Sequence, residues 1–378
     1  MAAAPASAWT RVTTDALMLG IVHMLVDAAA LYVIFTDVSR RGGDAVGILA
    51  LVVLYNCLAF GGQFLAGLIA DRWRCYRGMA VVGAVLVTVA LPLAAGATLP
   101  GVIAVGVGNA LFHVGAGAFV LRESGTRATE SGVFVGPGAL GVCAGIWLGL
   151  HGVPARFVIV GLLAAGIPLL WLAARRRSGE VTLPRVRGGT LAVVAIAAVF
   201  LLASVFVRSL GGGTVAGAWR GVSEPVMIGL AVAACGGKMV GGFVADRVGW
   251  GTSSALALLV SAPLISLLVN DATFALVGML VFQMTMPVTL KAMHHVLPSR
   301  PGLAFGIPCG ALLLGALPGL LGYGGLISAW PRVLGLTLLS AVLVVAGLAL
   351  VARAGGSVGP ARELLARLYS RGSMTSGA

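Results

Sequence analysis

The sequence predicts an all-α polytopic membrane protein with twelve transmembrane helices in two pseudo-symmetric six-helix halves. Three observations carry this. Hydrophobic residues make up 59% of the chain and charged residues only 10%, against roughly 25% charged in a soluble domain. About twelve apolar runs, each near the roughly 20 residues a helix needs to cross a bilayer, follow one another with short loops between them. The stretch GGQFLAGLIADRWRCYRG (Gly61 to Gly78) returns as GGKMVGGFVADRVGWGTS (Gly236 to Ser253), which sets two Asp-Arg pairs 175 residues apart (246 − 71) in a chain of 378. A repeat on that scale marks two similar halves.

The runs are taken in order. Segment 1 is Asp15–Val38 and segment 2 Val46–Ala70, followed by a loop with Arg72, Arg74 and Arg77. Segments 3 and 4 are Gly78–Ala95 and Gly101–Leu121, and a charged loop with Arg122, Glu123, Arg127 and Glu130 leads to segment 5, Ser131–Leu150. Segment 6, Ala155–Ala174, ends the first half (1–174), and a basic linker (175–189) opens with Arg175, Arg176 and Arg177. The second half (190–353) holds Thr190–Leu210, Pro225–Ala245, Thr252–Val269, Ala272–Leu297, Gly302–Gly325 and Arg332–Ala352. In the tail (354–378), Leu364, Leu365 and Leu368 share a helical face between arginines, a pattern suited to a membrane surface.

Charge and composition narrow the classes further. The formal charge is +13, which in a soluble chain would suggest nucleic acid. Here the arginines stand at segment ends, in the loops after segments 2, 4 and 6 and in the tail, so the positive-inside rule is the better account and places both termini in the cytoplasm. Arg40 and Arg41, beside Asp37 and Asp44, are the exception. The 56 glycines are embedded in apolar runs, where small residues let helix backbones approach closely. The five cysteines have no disulfide or metal spacing. No cleavable signal is expected, since Met1 to Trp9 is uncharged and the first apolar run is too long for one. Nucleotide-binding loops, GxSxG elbows and HExxH motifs are lacking, so an enzyme is not expected and no cofactor is implied.

The Asp-Arg pair with flanking glycines between segments 2 and 3, repeated between 8 and 9, resembles the signature loop of the major facilitator superfamily. The resemblance covers essentially the whole chain. It implies that Asp71, Arg72, Arg77, Asp246 and Arg247 are gating residues that pin neighbouring helices on the cytoplasmic side. The second copy lacks the trailing arginines. GIVHMLVDAAA in segment 1, ALFHVGAG in segment 4 and LPSRPGLAFG at Leu297 to Gly306 together look like the fosmidomycin-resistance-type exporters of the drug:proton antiporter branch. GVFVGPGALG in segment 5 resembles that branch's antiporter motif, with a kink at Gly136 and Pro137. Two departures are clear. Val114-Gly115 follows His113 where the subgroup has Pro-Glu, and His294-His295 stands where it has Gln-Glu. The resemblance implies a bacterial inner-membrane protein, monomeric, that handles a small molecule together with protons.

A charge inside a span costs about 2.5–3.5 kcal/mol on insertion scales, so each is a functional candidate. Asp27 and His23 lie four apart on segment 1, Asn109 and His113 four apart on segment 4, Arg208 on segment 7, and Lys291, His294 and His295 on segment 10. These are segments 1, 4, 7 and 10, which line the central cavity in the superfamily. Asp27, with His23 and His113, is the expected proton-coupling group. Asn109, His113, Arg208, Lys291, His294 and His295 are the expected substrate-cavity residues. Each also has a structural reading: Asp27 pairing with His23 to hold helices, His113 packing against a neighbour, and Arg208, Lys291 and His295 snorkelling to headgroups.

The expected function is proton-coupled antiport of a small anionic or amphiphilic solute by alternating access. Three alternatives stand beside it. One is a copper-like metal transporter using Met284, Met286, His294 and His295, although Met284 and Met286 point to different helix faces. Another is a small-metabolite symporter or uniporter. The third is a transporter-like receptor with no flux.

Overall fold

A bilayer leaves no water for unpaired backbone, so every apolar run has to satisfy its own hydrogen bonds as a helix. The computed structural model describes residues 6–175, 191–218 and 223–354, and among them all regular structure is helical. The twelve spans are α1 (Thr13–Arg41), α2 (Ala45–Trp73), α3 (Tyr76–Gly96), α4 (Thr98–Glu123), α5 (Thr129–Leu150), α6 (Arg156–Arg175), α7 (Ala192–Gly212), α8 (Glu224–Val248), α9 (Trp250–Ser266), α10 (Ala272–Val296), α11 (Pro301–Leu320) and α12 (Trp330–Arg353). The basic linker from Arg176 onward and the tail from Gly355 onward lie outside the described residues.

Boundaries agree with the sequence reading to a few residues except at the start of the first helix (Ala6), the end of the seventh (Ala218) and the end of α11. That helix ends at Leu320 rather than near Gly325, because Gly322 takes a left-handed φ of 88° and a short 3-10 turn, Tyr323–Leu326, follows. Four spans carry local breaks, α5 among them at Gly136 and Pro137. α1 and α2 each contain a π-helical turn, at Ile34–Val38 and Cys57–Gly61. α10 is interrupted at Met284 and Thr285, just before Pro287. The outer surface is apolar, as a lipid-facing surface must be: Val82, Val85 and Val89 form an exposed stripe along α3 at helical spacing.

Glycine seams set the packing that positions the interior. A Cβ on Gly83 would sit 2.3 Å from the Phe112 nitrogen, and one on Gly115 would sit 2.4 Å from the Ala80 nitrogen, so α3 and α4 touch backbone to backbone. Gly141 and Gly145 bring α5 equally close to Met24 and Ala28 of α1. α1, α4 and α5 are thereby drawn around one point near the middle of the first half.

The halves meet on the face that carries the Asp-Arg loops. Asp71, at the end of α2, accepts hydrogen bonds from the Gly302 and Leu303 amides at the start of α11 (2.7 and 2.8 Å). Asp246, at the end of α8, accepts from the Ala128 and Thr129 amides at the start of α5 (2.9 and 2.8 Å) and from the Thr129 hydroxyl at 2.6 Å. An aromatic donor from the following helix completes each cap, Tyr76 on Asp71 (3.0 Å) and Trp250 on Asp246 (3.2 Å). Each carboxylate satisfies orphan helix N–H groups and faces the positive end of a helix dipole, in the opposite half of the molecule. The repeat extends to the backbone: Arg74 has φ 50° and Gly249, at the equivalent place, has φ 98°. Glycine takes a positive φ without cost and arginine does not.

Beside the caps, Lys291 of α10 reaches across to the end of α4, donating to the Leu121 carbonyl at 2.6 Å and the Ser124 hydroxyl at 2.8 Å. On the opposite face the contact between halves is a surface one. His151, after α5, meets Glu224 at the start of α8 at 2.7 Å, and the Trp147 indole donates to Glu224 at 3.1 Å.

Two predictions concern these contacts. Replacing Asp71 or Asp246 by Ala removes a helix cap and should cost about 0.5–2 kcal/mol. It should also widen spin-label distances across the basic face, where substitution of exposed Arg72 leaves them unchanged. His151 is raised above its ordinary value, first by the bond of its Nδ1 to the Trp147 carbonyl and then by Glu224. Its charged contact with Glu224 is therefore complete below the ordinary histidine value and is lost as pH rises through the raised one. Distances between labels at 150 and 226 should broaden with rising pH in the wild type, and H151Q should abolish that dependence.

Candidate functional site

The point where α1, α4 and α5 converge holds Asp27. Its Oδ2 lies 3.1 Å from His23 Nε2, and its Oδ1 lies 3.5 Å from His113 Nε2 and 3.2 Å from the Asn109 amide nitrogen, which donates to it. His23 is one helical turn from Asp27, and Asn109 and His113 are one turn apart on α4. The side chains are buried but not sealed, at 6% exposure for His23, 13% for Asp27 and 10% for His113.

Hydrogen bonding at the far side of each ring decides the chemistry. His23 Nδ1 is 2.9 Å from the Phe134 carbonyl, and His113 Nδ1 is 2.9 Å from the Asn109 carbonyl. A carbonyl only accepts, so both Nδ1 atoms carry hydrogen. In the neutral rings both Nε2 atoms then present lone pairs towards the Asp27 carboxylate. Three acceptors face one another with the Asn109 amide as donor. By this chemistry the arrangement has room for an added proton between a ring nitrogen and a carboxylate oxygen. By donor chemistry the same three groups, whose ligand atoms all lie within 4.8 Å, suit a divalent cation.

The surroundings enforce this geometry. Phe134 stacks on His23 at 4.9 Å between centroids, and His113 meets it edge-on at 4.4 Å. A Cβ on Gly138 would lie 2.6 Å from His23 Nε2 and 2.8 Å from Asp27 Oδ2. The glycine after the helix 5 Gly-Pro pair thus leaves the room in which the cluster sits. α5 is interrupted at Gly136 and Pro137, with Thr129–Val135 and Gly138–Leu150 as its two pieces.

The remaining predicted residues are dispersed. Arg208 of α7 is buried and donates to the Thr285 hydroxyl in the break of α10. Lys291 and His294 lie at the basic end of α10, with Nζ 3.4 Å from His294 Nδ1, and His295 packs edge-on against Trp250 at 5.4 Å. They belong to the contact between halves on the basic face, and Lys291 is directed to the end of α4, not towards Asp27. Met284 and Met286 stand roughly 15 Å along the helix axis from His294 and His295, at about 1.5 Å per residue, so these four do not gather as ligands. Of the signature-loop arginines, Arg72 is exposed, Arg77 lies over the Phe119 ring at 5.2 Å, and Arg247 folds back on Phe243 of its own helix at 3.3 Å.

Two features escaped the sequence reading. Asp37 is buried and bridged to Arg156 at 2.8 and 2.9 Å, joining α1 to α6. Lys238, on α8, interacts electrostatically with Asp27, Arg208 and His113. Its signal was present in the repeat, where Lys238 occupies the place of Gln63.

No family model and no curated protein matches the sequence. Solved structures do match. A variant of the E. coli fucose:proton symporter FucP superposes with a TM-score of 0.60 at 12% identity, covering 91% of this chain and 99% of its own. FucP in its outward conformation, described as a Major Facilitator Superfamily transporter, gives the same values. The human organic anion transporter MFSD10 superposes with a TM-score of 0.64 at 13% identity, covering 92% of this chain and 100% of its own. The chain therefore has the major facilitator fold, and at these identities the likeness is one of fold.

The space at Gly138 can be tested directly. Gly138→Ala should lower stability by about 1–3 kcal/mol, the usual cost of overpacking, in thermal unfolding of the purified protein. Gly236→Ala, whose Cβ meets nothing within 4 Å, should not.

Proposed function

We propose that this protein is a secondary transporter that works by alternating access and couples movement of a small anionic or amphiphilic solute to protons at Asp27. The observation that carries the reading is the convergence of His23 Nε2, His113 Nε2 and the Asp27 carboxylate on one another in the middle of the bundle. A buried cluster of acceptors that holds one proton is a coupling site if the alternation of the halves exposes it to each side in turn. The caps on the basic face supply the other requirement, a contact between halves that forms and breaks.

Antiport is the sense of coupling we adopt. A solute that places a hydroxyl or amine hydrogen on these acceptors takes the proton's place, so solute and proton bind in competition. Export from the cytoplasm follows if the basic face is cytoplasmic, which the positive-inside rule favours. The fold neighbours include a proton symporter and an organic anion transporter, which supports a proton-linked reading without fixing its sense. We read the protein as an integral inner-membrane monomer with both termini in the cytoplasm.

Proteoliposomes carrying a pH gradient and an internal pH dye test the coupling. A solute gradient should drive proton movement in the wild type. Asp27→Asn should abolish proton movement, and His113→Gln should shift its pH dependence. Solute-driven proton flux that persists in Asp27→Asn would sink the proposal.

A further inference from the structure

Lys238 is an ionisable side chain inside a span that neither the packing nor the coupling cluster employs. Among the described residues its ammonium has no hydrogen-bond or ion-pair partner, and the groups that act on it electrostatically are Asp27, Cys235, Arg208 and His113. Lys291 shows what a structural lysine looks like in this molecule: it has no exposed surface and bonds two oxygens. Lys238 is only half-buried. A membrane-embedded ammonium without a protein partner calls for one from outside the chain.

Its placement is well defined. Cys235, Lys238, Gly242 and Asp246 follow one another at three- and four-residue spacing on the face of α8 that packs on α5. The Lys238 carbonyl would lie 2.3 Å from a Cβ on Gly132, and the Gln63 carbonyl would lie 2.3 Å from a Cβ on Gly306. The two halves therefore hold these positions alike and differ in what they place there. Gln63 is fully buried and bonds back to the Ala59 carbonyl. Lys238 has exchanged that amide for a charge facing the interior.

We propose that Lys238 receives the anionic group of the transported solute, a carboxylate or comparable oxyanion, and that the same solute carries a hydrogen donor that reaches the acceptors around Asp27. This rests on the transport reading above. Arg208 is tied to Thr285 and adds positive potential, while Lys238 is free to close on the anion. The donor displaces the proton and the anionic group contributes affinity, so the two parts of the solute have separate partners.

The test is a thermal-shift titration of the purified full chain with three probes. Mandelate carries a carboxylate and a hydroxyl, phenylacetate a carboxylate alone, and 2-phenylethylamine a cation. Mandelate should stabilise the wild type more than phenylacetate, and the amine should not stabilise it. Lys238→Gln should weaken mandelate binding by about tenfold or more, and Lys238→Arg should retain most of it. Lys238→Met, which a packing role would tolerate, should keep its unliganded melting temperature and lose the acids. Acids that stabilise Lys238→Gln and Lys238→Met as strongly as the wild type overturn the proposal, as does a wild type that neither acid stabilises. A wild type that binds the acids yet moves no protons in liposomes would instead contradict the transport reading and leave Lys238 as an anion site.

Discussion

The structure depends on two carboxylates that reach across it. Asp71 and Asp246 each end a helix in one half and cap the start of a helix in the other. In a bilayer, open helix ends and isolated charges are both costly, and each cap removes one of each. Because the two caps are related by the internal repeat, they bear on both sides of the interface between halves. The glycines that let α2 approach α11 and α5 approach α8 serve the same contact: Gly67 meets Gly302, and Gly242 meets Ala128 and Thr129.

With that frame fixed, the interior ionisable groups sort by what satisfies them. Asp37 has Arg156, Lys291 has the end of α4, and Glu130 has Arg127 at 3.1 Å and the Thr13 hydroxyl. These hold helices in place. The Asp27 cluster is different, because its histidines are fixed by backbone carbonyls in the tautomer that leaves their lone pairs facing a carboxylate. In the proposed reading a proton completes it. Lys238, on the face of α8 that packs on α5, has no hydrogen-bond or ion-pair partner among the described residues.

Much of this was legible in the sequence, for identifiable reasons. Charge is so unfavourable in a span that Asp27, His23, Asn109 and His113 stood out singly, and their i, i+4 spacing put each pair on one face. The repeat located both caps, because Asp-Arg recurs in register. It did not tell the partners, since Gly302 and Ala128 contribute only backbone amides, which leave no trace in residue identity. The arginines drew attention on composition, yet Asp71 and Asp246 make the contact. Lys291, His294 and His295 looked like neighbours of Asp27 by helix number, but depth along α10 separates them from it, and helix number carries no depth. Lys238 was hidden by its setting in a glycine-rich motif, where alignment with Gln63 exposes the exchange.

The central claim is that Asp27 and its two histidines share one exchangeable proton. Infrared difference spectroscopy of the purified protein across a pH titration measures this most directly, with Asp27→Asn as the reference. The account predicts a buried carboxylic acid band that gives way to carboxylate as pH rises, lost in the variant, with imidazole bands that change in the same step and are altered by His23→Gln. Identical pH-difference spectra for wild type and Asp27→Asn would contradict it.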